Sequence, residues 1–333
     1  MTSPRQRFLP CVALAASLAA ASAANAAGPP LPSQASGHAG AVAPGGSERI
    51  VTRRAGDDTR ISALRRGDGR VMRSRQIRGR WSVPAVTLDN DTTGLSADGH
   101  TLVLARPTRA FPPPSTRLAV VDARRLVVRR LIDLPGFFTV DAISPDGRRL
   151  YLVQYPGENV LDYRVRVLDT RTGRLDARDV VDPRNPDEQM GGLPMTRAVS
   201  RDGRWAYTLY GGGEETFIHA LDTVGRTAAC IDLDMLPAGS DLSLVRLTVN
   251  AKARRIDVRD NGNLVATIET RTFAVSEPGA PAAPRPDAPP ATNDGGLPWP
   301  ALLIAGGLAA VCAVALLIAR RRNTFGPSRQ SSV

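Results

Sequence analysis

The side chains best suited to chemistry in this chain sit in long, irregular connections. RPTRAFPPPST carries Phe111, LPGFFTV carries Phe137 and Phe138, and YPGENVLDY carries Tyr155 and Glu158. DPRNPDEQMGGLPMT carries Asp187, Glu188 and Gln189, YGGGEET carries Glu214 and Glu215, and LPAGSDLSLV carries Asp241. Carboxylates converging from several loops could hold a divalent cation or a basic partner, because hard cations take oxygen ligands. The plainer alternative is a set of solvated loop carboxylates, and it has the greater weight because no ordered spacing such as DxDxDG is present. Phe137 and Phe138 equally suit packing between structural elements.

Groups for covalent or acid–base catalysis are sparse. The histidines are His38, His100 and His219, and none stands beside a candidate nucleophile. His219 alternates within an apolar stretch, as a packed or surface strand residue does. The motifs GxSxG and HExxH and a phosphate-binding Walker loop are absent. Cys11, Cys230 and Cys312 form no CxxC pair, which excludes a disulfide framework and a cysteine metal site. Cys230 reads as a small buried hydrophobe. No catalytic residue, metal ligand or cofactor is assigned.

The elements that must position the loops repeat. GLSADGHTLVLAR from Gly94, AISPDGRRLYLVQY from Ala142 and AVSRDGRWAYTLYG from Ala198 align, and TVNAKARRIDVRD from Thr248 keeps the pattern without Asp-Gly. Each reads as a hairpin with a tight turn and an alternating second strand. A second hairpin type lies between them, in RLAVVDARRLVVRRLIDL, YRVRVLDTRTGRLDARDVV and FIHALDTVGRTAACIDL, with Asp122, Asp169 and Asp222 at the turns. TRISALRRGDGRVMRSRQI and NLVATIETRTFAV extend this second series at either end. Two hairpins per period give four antiparallel strands, the unit of a propeller blade.

SPDGRRLYLV followed by VRVLDTRTGRL resembles the YVTN-type and lactonase-like family of bacterial β-propellers. The resemblance covers Ile50 to Val275 and is closest over Val140 to Val181. It implies an all-β propeller of about five four-stranded blades. A partial blade starts at Glu48 and the last at Leu244, and ERIVTR is expected to join the last sheet and close the ring. A twisted open sheet or a sandwich is the alternative. With strands running outward from the axis, the tight turns share one face and the long connections share the other, where binding normally resides. Trp81 and Trp205 read as core aromatics. The family also implies a second functional reading, a lactonase-like hydrolase or lyase with a divalent cation on the long-loop face.

Both ends carry an address. Residues 1–26 combine Arg5 and Arg7, an apolar run and the small residues Ala24-Asn25-Ala26, as a secretory signal does. Residues 27–47 form a low-complexity leader, 48–275 the propeller ectodomain and 276–298 a Pro/Ala-rich stalk. Residues 299–319, WPALLIAGGLAAVCAVALLIA, are long and apolar enough to cross a membrane as a C-terminal helix. Arg320-Arg321-Arg322 then place the tail, residues 320–333, in the cytoplasm and the propeller outside. The net charge of +11 and a pI near 10.7 come almost wholly from arginine. Those arginines are scattered through strand patterns, so a solvated face explains them better than nucleic acid does. The expectation is a single-pass, membrane-tethered, extracytoplasmic binding or scaffold module of a bacterial cell envelope, with the membrane and a protein or envelope ligand as partners.

Overall fold

The computed structural model of the protein describes residues 40–157, 159–188 and 190–279. The segments expected to be signal, membrane span and tail, and nearly all of the expected stalk, lie outside these residues, as do Glu158 and Gln189. The described residues form an all-β propeller of five antiparallel sheets.

The first sheet comprises β1 (Ala41–Val42), β2 (Glu48–Ala55), β3 (Asp58–Arg65) and β4 (Val71–Ile77). The second comprises β5 (Thr101–Ala105), β6 (Ser115–Asp122) and β7 (Val127–Pro135). The third comprises β8 (Phe137–Ile143), β9 (Arg149–Tyr155), β10 (Arg164–Asp169) and β11 (Leu175–Val180). The fourth comprises β12 (Leu193–Val199), β13 (Trp205–Gly211), β14 (Phe217–Asp222) and β15 (Thr227–Asp232). The fifth comprises β16 (Val245–Asn250), β17 (Arg255–Asp260), β18 (Asn263–Glu269) and β19 (Val275–Ser276). In every sheet neighbours in sequence are neighbours in space.

The second sheet lacks a regular inner strand. In its place Gly94 O accepts from Val103 N at 2.7 Å and Ser96 N donates to Thr101 O at 2.9 Å. Gly94 has φ +102°, and a Cβ there would lie 2.5 Å from the Val103 carbonyl, so only glycine fits this approach.

Alternation along the strands gives each sheet two faces, and four apolar clusters join neighbouring sheets. Ile50, Ile61 and Ala63 of the first sheet pack with Leu102, Leu104 and Val121 of the second. Val103, Leu118 and Val120 on the other face of the second sheet meet Val140, Leu150 and Leu152 of the third. Tyr151, Val153 and Val165 of the third meet Ala206, Tyr210 and Leu221 of the fourth. Tyr207, Leu209 and Ile218 of the fourth meet Leu247, Val258 and Ile268 of the fifth. Trp81 belongs to the first of these clusters, whereas Trp205 is only half-buried, at the edge of the last.

Ring closure differs from the expectation. ERIVTR lies in β2 and pairs with β1 and β3 of its own sheet, and the fifth sheet takes its fourth strand from β19. Strand β1 falls inside the stretch that composition marks as leader, because Ala41 and Ala43 are small enough to be buried against the first cluster. Among the described residues no apolar cluster joins the fifth sheet to the first.

Candidate functional site

The tight turns build one face of the molecule. In three of them the same network recurs: Ser96, Ser144 and Ser200 donate through Oγ to Asp98, Asp146 and Asp202 at 2.5, 2.6 and 2.6 Å. The same hydroxyls accept from the amides of Thr101, Arg149 and Trp205 at 3.0, 3.0 and 2.9 Å. Gly147 closes its turn at φ +69°, with its Cα hydrogens against Thr101 of the preceding sheet. The second hairpin type is tied to the first: Thr170 Oγ1 donates to Gly147 O at 2.7 Å and Thr223 Oγ1 to Arg204 O at 2.8 Å. Both turn types therefore lie on one face, and the long connections emerge on the other.

On that loop face the residues singled out from sequence separate into three groups. Phe111, half exposed at 52%, meets the Phe137 ring edge-on with centroids 5.7 Å apart. Phe137 in turn stacks on Tyr155 at 4.6 Å, in register across β8 and β9. Burial raises the Tyr155 phenol well above its ordinary range, so it stays protonated. This trio makes an aromatic rim whose one exposed member is Phe111.

The second group is acidic. Exposed Glu214 and Glu215 border a shallow depression of about 250 Å³ together with Thr216, Asp232, Asp234 and Pro237. Asp241 stands exposed in the next connection, where its carboxylate accepts from Ser243 N at 3.0 Å and is held below the usual range by that hydrogen bonding. Asp187 and Glu188 are exposed on the connection before β12, and Glu188 accepts from Asn185 Nδ2 at 3.1 Å. Phe138 belongs to neither group, because it is buried between the second and third sheets with Val140 and Leu134. It is a core residue. Among the described residues no three His, Cys, Asp or Glu side chains converge in a group that could hold a metal ion.

The axis holds what the loops did not reveal. The first strands converge on a cavity of about 220 Å³ lined by Val42, Leu95, Ala142 and Val199, opening beside the turn residues Pro44, Ala97 and Gly203. Its loop-face end is crossed by the connection leading to β5, where Leu88 N donates to Pro194 O at 2.9 Å and Asp91 accepts from Arg197 N at 3.1 Å. Burial raises the Asp91 carboxyl, with the neighbouring charge of Asp89 adding to the effect.

Arg197 and Asp141 form an ion pair between the third and fourth sheets, with side chains only 3% and 1% exposed. The Arg197 guanidinium donates to the Asp141 carboxylate, to the Asp141 carbonyl and, at 2.9 Å from Nε, to Thr208 Oγ1. Across the fourth sheet Arg197, Thr208, His219 and Cys230 stand directly opposite one another. Burial lowers the His219 pKa, so the ring is neutral, and pushes the Cys230 thiol up to about 12. Cys230 is thus no nucleophile at neutral pH. A sequence signal for the ion pair existed: counted back three residues from Ser144 and Ser200, Asp141 and Arg197 occupy the same repeat position in adjacent blades.

No family model matches the chain, and no curated protein matches it. Solved structures that it is similar to include Kuenenia stuttgartiensis hydrazine synthase, at 16% identity over 71% of this chain and 64% of that one, with a TM-score of 0.43. Apo AztD from Citrobacter koseri is 14% identical over 69% of this chain and 58% of its own, with a TM-score of 0.36. TolB from Acinetobacter baumannii is 13% identical over 69% and 51%, with a TM-score of 0.37. The chain thus spans less than two thirds of each of these proteins, and likeness at this level assigns no activity.

Proposed function

We propose that this protein is a membrane-tethered, extracytoplasmic β-propeller whose loop face binds a protein or cell-envelope ligand bearing positive charge. The observation that carries this reading is the charge of that face. Counted strictly between strands, its nine connections hold twelve Asp and Glu against five Arg. The acidic depression and the exposed Phe111 give such a ligand both electrostatic and apolar contact, as binding surfaces on rigid scaffolds do. The signal segment and the C-terminal apolar span supply the extracytoplasmic address and the tether. The neutral His219, the unreactive Cys230 and the dispersed carboxylates support a binding role over hydrolysis.

A photo-crosslinking residue introduced at Glu215 in the full chain tests this in the intact cell envelope. A discrete partner is expected, lost when Asp232 and Asp234 are replaced by Asn and Glu214 by Gln. An identical capture pattern from Thr172, on the opposite face, would sink the idea.

A further inference from the structure

The face that carries the tight turns has the opposite charge. Its ten turns, counted strictly between strands and including residues 96–100, hold thirteen Arg and Lys against four Asp and Glu. Every blade contributes cations: Arg70, Arg124, Arg171, Arg201, Lys252 and Arg271 are all exposed. The acidic residues there are already used. Asp98, Asp146 and Asp202 accept from the serine hydroxyls of their own turns, and Asp68 accepts from Arg70 N and pairs with Arg65. The guanidiniums of Arg124, Arg125, Arg171 and Arg201 make no hydrogen bond or ion pair among the described residues, so their charge is free for an external anion.

A second observation narrows the anion. Eight large apolar side chains are exposed among the described residues, and five of them, Val71, Met72, Val127, Val199 and Val224, lie at strand tips or turns on this same face. Apolar side chains standing among arginines on one face are the pattern of an interfacial surface, where the apolar groups enter the headgroup boundary and the cations meet lipid phosphates. Nucleic acid would want stacking aromatics. The one Phe, Tyr or Trp in the ten turns, Phe273, is packed edge-on against Trp205 at 5.5 Å instead.

We propose that the turn face docks on an anionic lipid surface, laying the propeller against the membrane with its acidic loop face turned away. This goes beyond the loop-face reading and does not depend on it. Each arginine close to an anionic surface contributes roughly a fivefold gain in partitioning, so four unpaired ones matter by about two orders of magnitude or more.

The test uses the full chain reconstituted into vesicles of phosphatidylcholine, alone or with about one third phosphatidylglycerol, followed by amide hydrogen exchange. Exchange in the turns at residues 123–126, 170–174 and 223–226 is expected to slow several-fold with the anionic lipid. It should return to the zwitterionic rate at about 0.5 M salt, where exposed charges are screened. The combined variant Arg124→Ser, Arg125→Ser, Arg171→Ser and Arg201→Ser should lose the protection. Unchanged exchange in the loop-face stretches 181–188 and 212–216 would show that this variant is still folded. Equal turn-face exchange in both lipids overturns the proposal. So does protection that follows protein concentration rather than lipid charge, which would make the acidic face of a second copy the occupant.

Discussion

At the scale of single residues, the buried Arg197–Asp141 pair is the feature whose removal should be felt most. Two charges nearly free of solvent are held by each other, by Thr208 and by the Asp141 carbonyl. Replacing Arg197 with Met leaves the Asp141 carboxylate buried and unpaired, which costs about 3–5 kcal/mol. Replacing both, Arg197→Met with Asp141→Leu, should recover most of that loss, because an apolar pair needs no solvation. Urea unfolding of the two variants checks this, and a loss below about 1 kcal/mol in the single variant would mean the charge reaches water. The pair shows why residue type alone misleads: within FFTVDAI and PMTRAV each charge looks like a surface position of an alternating strand. Only the repeat register, which sets Asp141 and Arg197 at one position in neighbouring blades, reveals that they meet.

At the scale of elements, the hairpins were the most legible part of the chain, and the reason is chemical. Ser-x-Asp-Gly supplies a hydroxyl, a carboxylate and a residue free to take positive φ, and the three close a turn without tertiary help. The cross-tie between turns is less visible, since it depends on a hydroxyl reaching a carbonyl in the neighbouring hairpin. Thr170→Val keeps the shape and removes that donor from Gly147 O. It should lower stability by about 1–2 kcal/mol, because the carbonyl is left buried without a partner. Thr170→Ser, which keeps the hydroxyl and gives up the β-branched shape, is the control. If thermal unfolding finds the two variants alike, the cross-tie contributes nothing. The aromatic loop residues divided for a similar reason: Phe137 and Phe138 are adjacent, so they point to opposite faces of β8, Phe137 into the cluster of the third and fourth sheets beneath Phe111 and Phe138 into that of the second and third.

At the scale of the whole molecule, four apolar clusters join the five blades among the described residues, and the sequence of the outermost faces explains why no fifth is found there. On the first sheet the face turned from its core presents Arg49, Val51, Arg53, Arg60, Ser62 and Leu64, and on the fifth that face presents Arg246, Thr248, Arg255, Asp257 and Arg259, with Arg246 4.0 Å from Asp89 of the connection leaving the first sheet. Such faces carry too much charge to form a fifth apolar cluster, and their buried carboxylate, Asp257, is paired with Arg255 at 2.7 Å. The expected closure through ERIVTR failed because blade count and repeat spacing carry no information about which strands pair at the ends. The polar outward register of β2 and β3 does carry it. Arg53 and Arg60 stand directly opposite one another and both are exposed. Like charges in that position are unfavourable, so Arg60→Glu should leave stability unchanged or raise it by up to about 0.5 kcal/mol, the more so at low salt. Leu104→Ala, inside the interface between the first and second sheets, should instead cost about 2–5 kcal/mol. Were the fifth sheet packed on the first through a dry interface, the new carboxylate at position 60 would be buried and Arg60→Glu would fall by several kcal/mol in chemical denaturation. That result would return the molecule to a closed ring, with its terminal arginines as interface rather than surface.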